Sequence, residues 1–159
     1  MSVLLVYASS HGCTKTSAEI LKEKIGSEIT MINLKKEQSP DLPDFDTVII
    51  GGSIHAGQIQ KAVKTFCSKN IETLKQKTIG LYLCCMYEGE KAKEQFRNAF
   101  PPELTEHAKA KGLFGGEFDF EKMNFAERLI VKKVSGIKES VSKINKKAIT
   151  KFASEIKQR

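Results

Sequence analysis

Residues 4–21 constrain the fold more than any other stretch, because an apolar run leads through a short loop into a helical pattern. The apolar run, residues 3–7, reads VLLVY and has the length of a buried strand. Small and hydroxyl residues fill the loop, residues 9–14, and apolar residues then recur at Ala18 and Leu21 with the spacing of a helix face. In a strand–loop–helix unit, backbone N–H groups and the positive end of the helix dipole point at the loop. This stretch therefore suits a bound phosphate.

Six loop residues make up the predicted phosphate site. The hydroxyls of Ser9 and Thr14 can donate hydrogen bonds to an anion, and Gly12 lets the backbone close tightly around it. The alternative is an ordinary strand–loop–helix turn in which the hydroxyls only cap the helix. The loop is neither a Walker loop nor a G-x-G-x-x-G nucleotide fingerprint. The full set is Ser9, Ser10, His11, Gly12, Cys13 and Thr14.

Buried strands and helices alternate along the rest of the chain. Residues 47–52 form a continuous apolar run of the kind found in a central parallel strand that is covered on both faces. The alternation predicts βαβ units and an α/β fold with a five-stranded parallel sheet, in a single domain that comprises residues 1–159. Further strands are predicted at residues 28–33, 78–85 and 110–118, the last interrupted by glycine, and helices at 59–67, 89–100, 123–134 and 141–156.

Two more loops follow strands whose carboxyl ends lie at the same edge of the predicted sheet, where ligands bind in open α/β folds. The glycines of residues 51–57 allow the backbone to approach a planar ligand, although a glycine-rich turn without a ligand has the same composition. Tyr87 can stack on an aromatic ring or lie half-buried at the surface, and His55 can approach such a ring or face solvent. The candidates are Ser53, Ile54, His55, Ala56 and Gly57 in the second loop and Cys84, Cys85, Met86 and Tyr87 in the third.

Positive charge is concentrated at the C-terminal end. Residues 128–159 hold ten Lys or Arg and two Glu, so they carry +8, against +7 for the whole chain of 159 residues. Such a tail points to an acidic partner, nucleic acid or an anionic membrane surface, or is a solvated helix face. No apolar stretch is long enough to span a membrane, and the N-terminus lacks a secretory pattern. With four cysteines that lack metal-site spacing, the sequence predicts a cytoplasmic protein with free thiols.

Residues 5–21 resemble the flavodoxin signature. The matching positions are Leu5, Val6, Tyr7, Ser9, Gly12, Thr14, Ala18 and Leu21. The resemblance implies a flavodoxin-like five-stranded parallel sheet sandwiched by helices, with FMN as the cofactor at its carboxyl edge. The first loop would bind the phosphate, and the second and third loops would line the two sides of the flavin ring. Because the ring itself would transfer the electrons, no catalytic residue and no metal ligand is assigned to the chain.

Residues 51–57 and the basic segment 124–147 resemble the menaquinone-dependent protoporphyrinogen oxidases, a family with the flavodoxin fold. This resemblance implies a short basic helical insertion before the last helix and an FMN-dependent oxidoreductase. The implied partners are a redox protein or quinone, a porphyrinogen substrate and the inner face of the membrane as a peripheral contact, but no nucleic acid. One difference is that the chain contains no tryptophan, which that family has before its last helix. An electron carrier without its own substrate and a cofactor-free binding module are the alternatives.

The basic segment leads to a first prediction. Because its lysines accompany apolar residues at helical spacing, we expect the protein to bind anionic vesicles or an acidic partner in a way that salt weakens. Neutralising Lys132, Lys133, Lys146 and Lys147 together should remove most of this binding in a vesicle co-sedimentation assay. A variant with the four lysines of residues 22–36 neutralised is the control. Equal binding by all three proteins, or none at low salt, would mean that the lysines only face water.

Overall fold

The computed structural model describes residues 2–9, 12–26, 28–38, 41–55, 57–85, 87–118 and 141–158. The main sheet contains β1 (Val3–Tyr7), β2 (Ile29–Asn33), β3 (Thr47–His55), β4 (Gln58–Ile59), β5 (Thr78–Cys84) and β6 (Ala110–Leu113). Five of these strands are parallel, in the order β2-β1-β3-β5-β6, and the short β4 pairs antiparallel with the end of β3. The predicted α/β fold with a five-stranded parallel sheet is therefore confirmed.

Helices cover both faces of this sheet. They are α1 (Cys13–Ile25), α2 (Lys61–Lys69), α3 (Ile71–Leu74), α4 (Gly89–Ala99), α5 (Pro102–His107) and α6 (Lys146–Lys157), with a 3₁₀ turn at Leu42–Asp44. Because successive strand residues point to opposite faces, β1 contributes Leu4 and Val6 to one hydrophobic cluster and Val3 and Leu5 to the other. The first cluster is completed mainly by α2, α4 and α5, and the second by α1 and α6.

Three aromatic side chains fill the centre of the second face. The rings of Tyr82 and Phe114 are stacked with their centroids 4.8 Å apart, and Phe152 meets Phe114 edge-on at 5.3 Å. Phe152 comes from α6 and lies over Gly80 of β5, where an added Cβ would be 2.6 Å from Phe152 Cζ. The cluster therefore packs the C-terminal helix closely against the middle of the sheet.

The N-terminal elements match the sequence prediction. β1 covers the VLLVY run, and α1 buries Ala18, Leu21 and Ile25 on one face. The helix ends at Gly26, which adopts the left-handed conformation with φ 67° and donates its N–H to Lys22 O at 3.2 Å. Glycine adopts this conformation readily because it has no Cβ, so it ends the helix here.

The structure corrects several predicted boundaries in the middle of the chain. β3 continues to His55, so most of the predicted second loop is strand. Ile59 fits a helical spacing but lies in β4, because the chain turns back at Gly57 before α2 begins. Two short helices, α3 at 71–74 and α5 at 102–107, are absent from the elements that the sequence predicts. Elements this short have too few positions for a hydrophobic period to identify them.

The region before the last helix differs most from the prediction. Val141 and Ile144, assigned to the terminal helix, lie in a strand, β8 (Val141–Ile144), which pairs antiparallel with β7 (Gly115–Phe118). Asn145 begins α6, and its side-chain oxygen accepts a hydrogen bond from Ala148 N at 3.0 Å. The predicted fifth strand is thus divided into β6 and β7. The predicted helix at 123–134 and the basic insertion lie outside the described residues.

Two further expectations concern membranes and thiols. None of the helices in the described ranges is long and apolar enough to cross a membrane. All four cysteines are buried thiols that form no disulfide, as the sequence predicts. Burial raises the pKa of Cys67 to about 12, so that thiol stays protonated and serves as an apolar core residue.

Candidate functional site

The candidate site lies where β1, β3 and β5 end. These strands are parallel neighbours, so their carboxyl ends meet at one edge of the sheet. Ser53 of β3 is the ladder partner of Cys84 of β5. Gln60 Nε2 donates to Ala8 O, directly after β1, at 2.9 Å. The structure therefore brings together the three segments that the sequence analysis assigned to one site.

The first loop leads into α1 at Gly12. This glycine has φ 97°, a left-handed conformation that other residues rarely adopt. Its N–H donates to Ser9 Oγ at 3.1 Å, and its carbonyl accepts from Thr16 N at 2.7 Å. Within the described part of this segment, no side chain caps α1 and no acidic residue lies in its first turn. A helix end of this kind favours negative charge beside it. Ser10 and His11 lie outside the described residues.

Cys13 and Thr14 belong to the first turn of α1 and not to the loop before it. The two residues are 6% and 1% exposed. They pack at the end of the helix that faces the candidate site, yet both are nearly enclosed by protein. Contact between the Thr14 hydroxyl and a phosphate stays a prediction.

Tyr82 ties this first turn to the sheet. It lies on β5, is fully buried, and donates its hydroxyl proton to Thr14 O at 2.9 Å. To reach α1 it crosses β3 at Gly51, its ladder partner, where an added Cβ would be 2.0 Å from Tyr82 Cζ. Burial, and then the neighbouring Cys84 and Cys13, raise the pKa of Tyr82 well above its ordinary value, so the phenol keeps its proton.

The second segment is a β-hairpin rather than an open loop. Ile54 and His55 of β3 pair with Ile59 and Gln58 of β4, and Gly57 in the turn has φ 81° with space around it. An added Cβ at Gly52 would lie 2.5 Å from Ile59 Cδ1. Close packing therefore explains why positions 51 and 52 hold glycine. At position 57 it is the backbone conformation that requires glycine. Ala56 lies outside the described residues.

Gln60 is a site residue that the sequence analysis missed. It follows the hairpin directly, is 9% exposed, and its carbonyl begins α2 by accepting from Val63 N at 3.1 Å. Its side-chain amide contacts both Ala8 and Ser53. A glutamine at the start of a helix carries no sequence signal of this kind, because Ala8 lies 52 residues away and Ser53 is brought close only by the hairpin.

The third segment places its residues in different surroundings. Cys84 is buried in the cluster with α1 and α6, and Cys85 is buried on the opposite face with α4. Their thiols therefore point into the core, and burial raises the pKa of Cys85. Tyr87 is 40% exposed, and Lys91 Nζ lies 3.9 Å from the centre of its ring. Met86 lies outside the described residues.

The described residues contain no group of three or more His, Cys, Asp or Glu side chains that could hold a metal ion. The candidate site instead offers backbone N–H groups, hydroxyls and one exposed aromatic ring. These groups suit a ligand with an anionic end and a planar end.

A family model described as a flavodoxin domain, Flavodoxin_5, matches residues 4–145. The chain belongs to this flavodoxin-domain family. Oxidised flavodoxin 1 of Bacillus cereus is 17% identical, with a TM-score of 0.59 over 98% of this chain and 97% of that one. The two-electron reduced flavodoxin of Megasphaera elsdenii is 13% identical, with a TM-score of 0.62 over 98% of both chains. No curated protein matches this chain.

The flavodoxin domain also resembles part of a larger protein. The rubredoxin oxygen:oxidoreductase of Desulfovibrio gigas is 17% identical, with a TM-score of 0.61 over 98% of this chain. The chain spans 35% of the length of that protein. At these identities the likeness concerns the fold alone.

The hydrogen bond from Tyr82 to Thr14 leads to a prediction about the stability of this flavodoxin domain. Tyr82→Phe removes the bond to Thr14 O and keeps the packed ring, so it should lower the free energy of unfolding by about 1 kcal/mol. Tyr87→Phe, at the exposed ring, is the matched control and should change stability little. Urea unfolding measures both effects, and backbone amide exchange in the first turn of α1 should accelerate only in Tyr82→Phe. An equal loss of unfolding free energy in the two variants would contradict a role for the hydrogen bond between Tyr82 and Thr14.

Proposed function

We propose that this flavodoxin domain binds FMN at the carboxyl edge of its sheet and transfers electrons through the flavin. The observation that carries the proposal is the N-terminal end of α1. Left-handed Gly12 begins the helix there, and no described side chain caps it. Family membership and the fold shared with the oxidised and reduced flavodoxins support the same function.

The phosphate end of FMN fits the first loop. Ser9 Oγ already accepts the Gly12 N–H, but a hydroxyl that accepts one bond can still donate its own proton to an anion. The uncapped first turn adds the helix dipole, and no described first-turn acid opposes it. The proposed phosphate residues are Ser9, Ser10, His11, Gly12, Cys13 and Thr14.

The planar end of FMN fits the other two segments. The hairpin residues 53–57 would line one side of the ring, and Tyr87 would line the other with its exposed aromatic face. Since the thiols of Cys84 and Cys85 are buried, these two residues and Met86 would contribute backbone groups. Bound FMN supplies the electron-transfer chemistry, and the chain binds it, orients it and limits its contact with water.

We further propose a protoporphyrinogen oxidase-type activity, with an electron carrier without its own substrate as the alternative. The observation that favours the enzyme is the position of the β7–β8 ribbon. Cys85 N donates to Gly115 O at 2.8 Å, so β7 starts beside the third segment of the site. Residues 141–144 of the basic segment 124–147 pair with β7, so this part of the basic segment lies near the proposed flavin, where the segment could reach an anionic porphyrinogen or a membrane quinone.

The cofactor proposal predicts FMN binding with a strong dependence on the phosphate. Riboflavin should bind far more weakly than FMN, because it lacks the anion that the first loop would hold. Thr14→Val keeps the shape of the buried side chain but removes its hydroxyl. It should weaken FMN by about 1–3 kcal/mol, the range for a hydrogen bond to a charged group. Thr16→Val, one position beyond the first turn, is the control. Titration of flavin fluorescence measures all four affinities, and equal affinity for FMN and riboflavin would refute the phosphate site.

The enzyme proposal predicts turnover of protoporphyrinogen by the FMN-loaded protein with a quinone as acceptor. Electrons and protons that leave the porphyrinogen would reduce the quinone to quinol, and the porphyrin product is followed by its fluorescence. The same assay with FMN alone is the control for free flavin chemistry. Flavin that can be reduced chemically in the protein but does not oxidise protoporphyrinogen would favour the electron carrier.

A further inference from the structure

The side chain of Gln60 joins two segments of the candidate site through three hydrogen bonds. Nε2 donates to Ala8 O at 2.9 Å and to Ser53 Oγ at 2.7 Å. Oε1 accepts from Ser53 N at 2.9 Å. The bond to Ala8 is buried and the two bonds to Ser53 are partly buried, so water competes less for these groups than it does at the surface. The end of β1 and the hairpin are thereby held at fixed positions relative to each other.

These partners determine which way the Gln60 amide points. Ser53 N–H can only donate and Ala8 C=O can only accept. With the amide turned over, Nε2 would face the Ser53 N–H donor and Oε1 would face the Ala8 acceptor, so both bonds would be lost. The observed orientation therefore commits both protons of Nε2, one to Ala8 and one to the Ser53 oxygen.

The Ser53 hydroxyl links Gln60 to His55. Ser53 Oγ accepts from Gln60 and lies 3.0 Å from His55 Nε2. We propose that Gln60 is a positioning residue that directs the Ser53 proton to His55 Nε2. Neutral His55 then carries its own proton on Nδ1. Gln60 thus donates to Ser53 Oγ, and Ser53 Oγ donates in turn to His55 Nε2.

The inference rests on the proposed function only for the role that it gives to His55 beside the flavin. His55 is on the hairpin that would line the flavin ring, and Nδ1–H would be a hydrogen-bond donor there. A donor beside the ring stabilises the negative charge that the ring gains on reduction. Gln60 would therefore act on the flavin through two other residues, without touching it. If Gln60 is only a structural bridge, the Ser53 proton goes elsewhere and His55 donates Nε2–H to the hydroxyl.

Nitrogen NMR of the protein without FMN tests the inference directly. Long-range ¹⁵N–¹H spectra distinguish the two histidine tautomers, at a pH high enough to keep the imidazoles neutral. We expect Nδ1–H at His55. His107 is an internal reference of the opposite kind, because its Nε2 lies 2.7 Å from Lys77 O, an acceptor that requires Nε2–H.

Gln60→Glu should reverse the tautomer of His55. An ionised carboxylate has no proton to give, so Ser53 would donate to the introduced carboxylate and accept from His55, which would then carry Nε2–H. Gln58→Glu is the matched control, because Gln58 is the ladder partner of His55 and receives the same change in charge. Its side-chain oxygen accepts from Lys64 Nζ at 3.2 Å instead of contacting Ser53, so Nδ1–H should persist. His107 should be unchanged in both variants.

Three outcomes would overturn the inference: Nε2–H at His55 in the parent, an unchanged tautomer in folded Gln60→Glu, or reversal in Gln58→Glu. If Gln60→Glu does not fold, Ser53→Ala serves instead and should remove the preference for Nδ1–H, and a preserved preference would refute the proposal. In FMN-loaded protein, Ser53→Ala, which changes no charge, should shift the reduction potential. Failure of the parent to bind FMN would refute the proposed function and leave the tautomer result standing.

Discussion

The bond between the Tyr82 hydroxyl and Thr14 O connects the centre of the sheet to the helix end on which the candidate site depends. Parallel strands fix only their own ends, and in the loop after β1 the described residues 8, 9 and 12 belong to no strand. The phenol reaches across β3 because its ladder partner there, Gly51, has no side chain. Stacking against Phe114 holds the ring in this direction. The position of the N-terminal end of α1 therefore follows from packing inside the sheet.

A second connection positions the hairpin. It is made by a polar side chain, whereas the first is made by an aromatic one. Gln60 holds Ser53 against the end of β1 through bonds that satisfy both ends of its amide. Buried amide groups are costly when unsatisfied, so a full set of partners also specifies one arrangement. The two connections approach the same edge from opposite faces of β3, since Tyr82 belongs to one hydrophobic cluster and Ile59, beside Gln60, to the other.

The sequence predicts the parts of this fold whose local pattern agrees with their tertiary setting. β1, α1 and its glycine end show hydrophobic periods and a terminal glycine that need no distant partner. Val141 and Ile144 show the limit of this reasoning, because their spacing suits a helix while pairing with β7 makes them a strand. Tyr82 and Gln60 could not be found for the same reason. Their partners lie 68 and 52 residues away in the chain, and only the sheet register brings them together.

The antiparallel ribbon has a consequence for how such a protein can change over evolutionary time. Phe118 and Val141 are ladder partners, so any chain that joins them leaves and returns at neighbouring points. Its length can vary without displacing the sheet, and each doubling of a flexible connection costs only about 0.6 kcal/mol in closure entropy. A lineage can therefore lengthen, exchange or shorten this connection while the edge formed by β1, β3 and β5 is inherited intact.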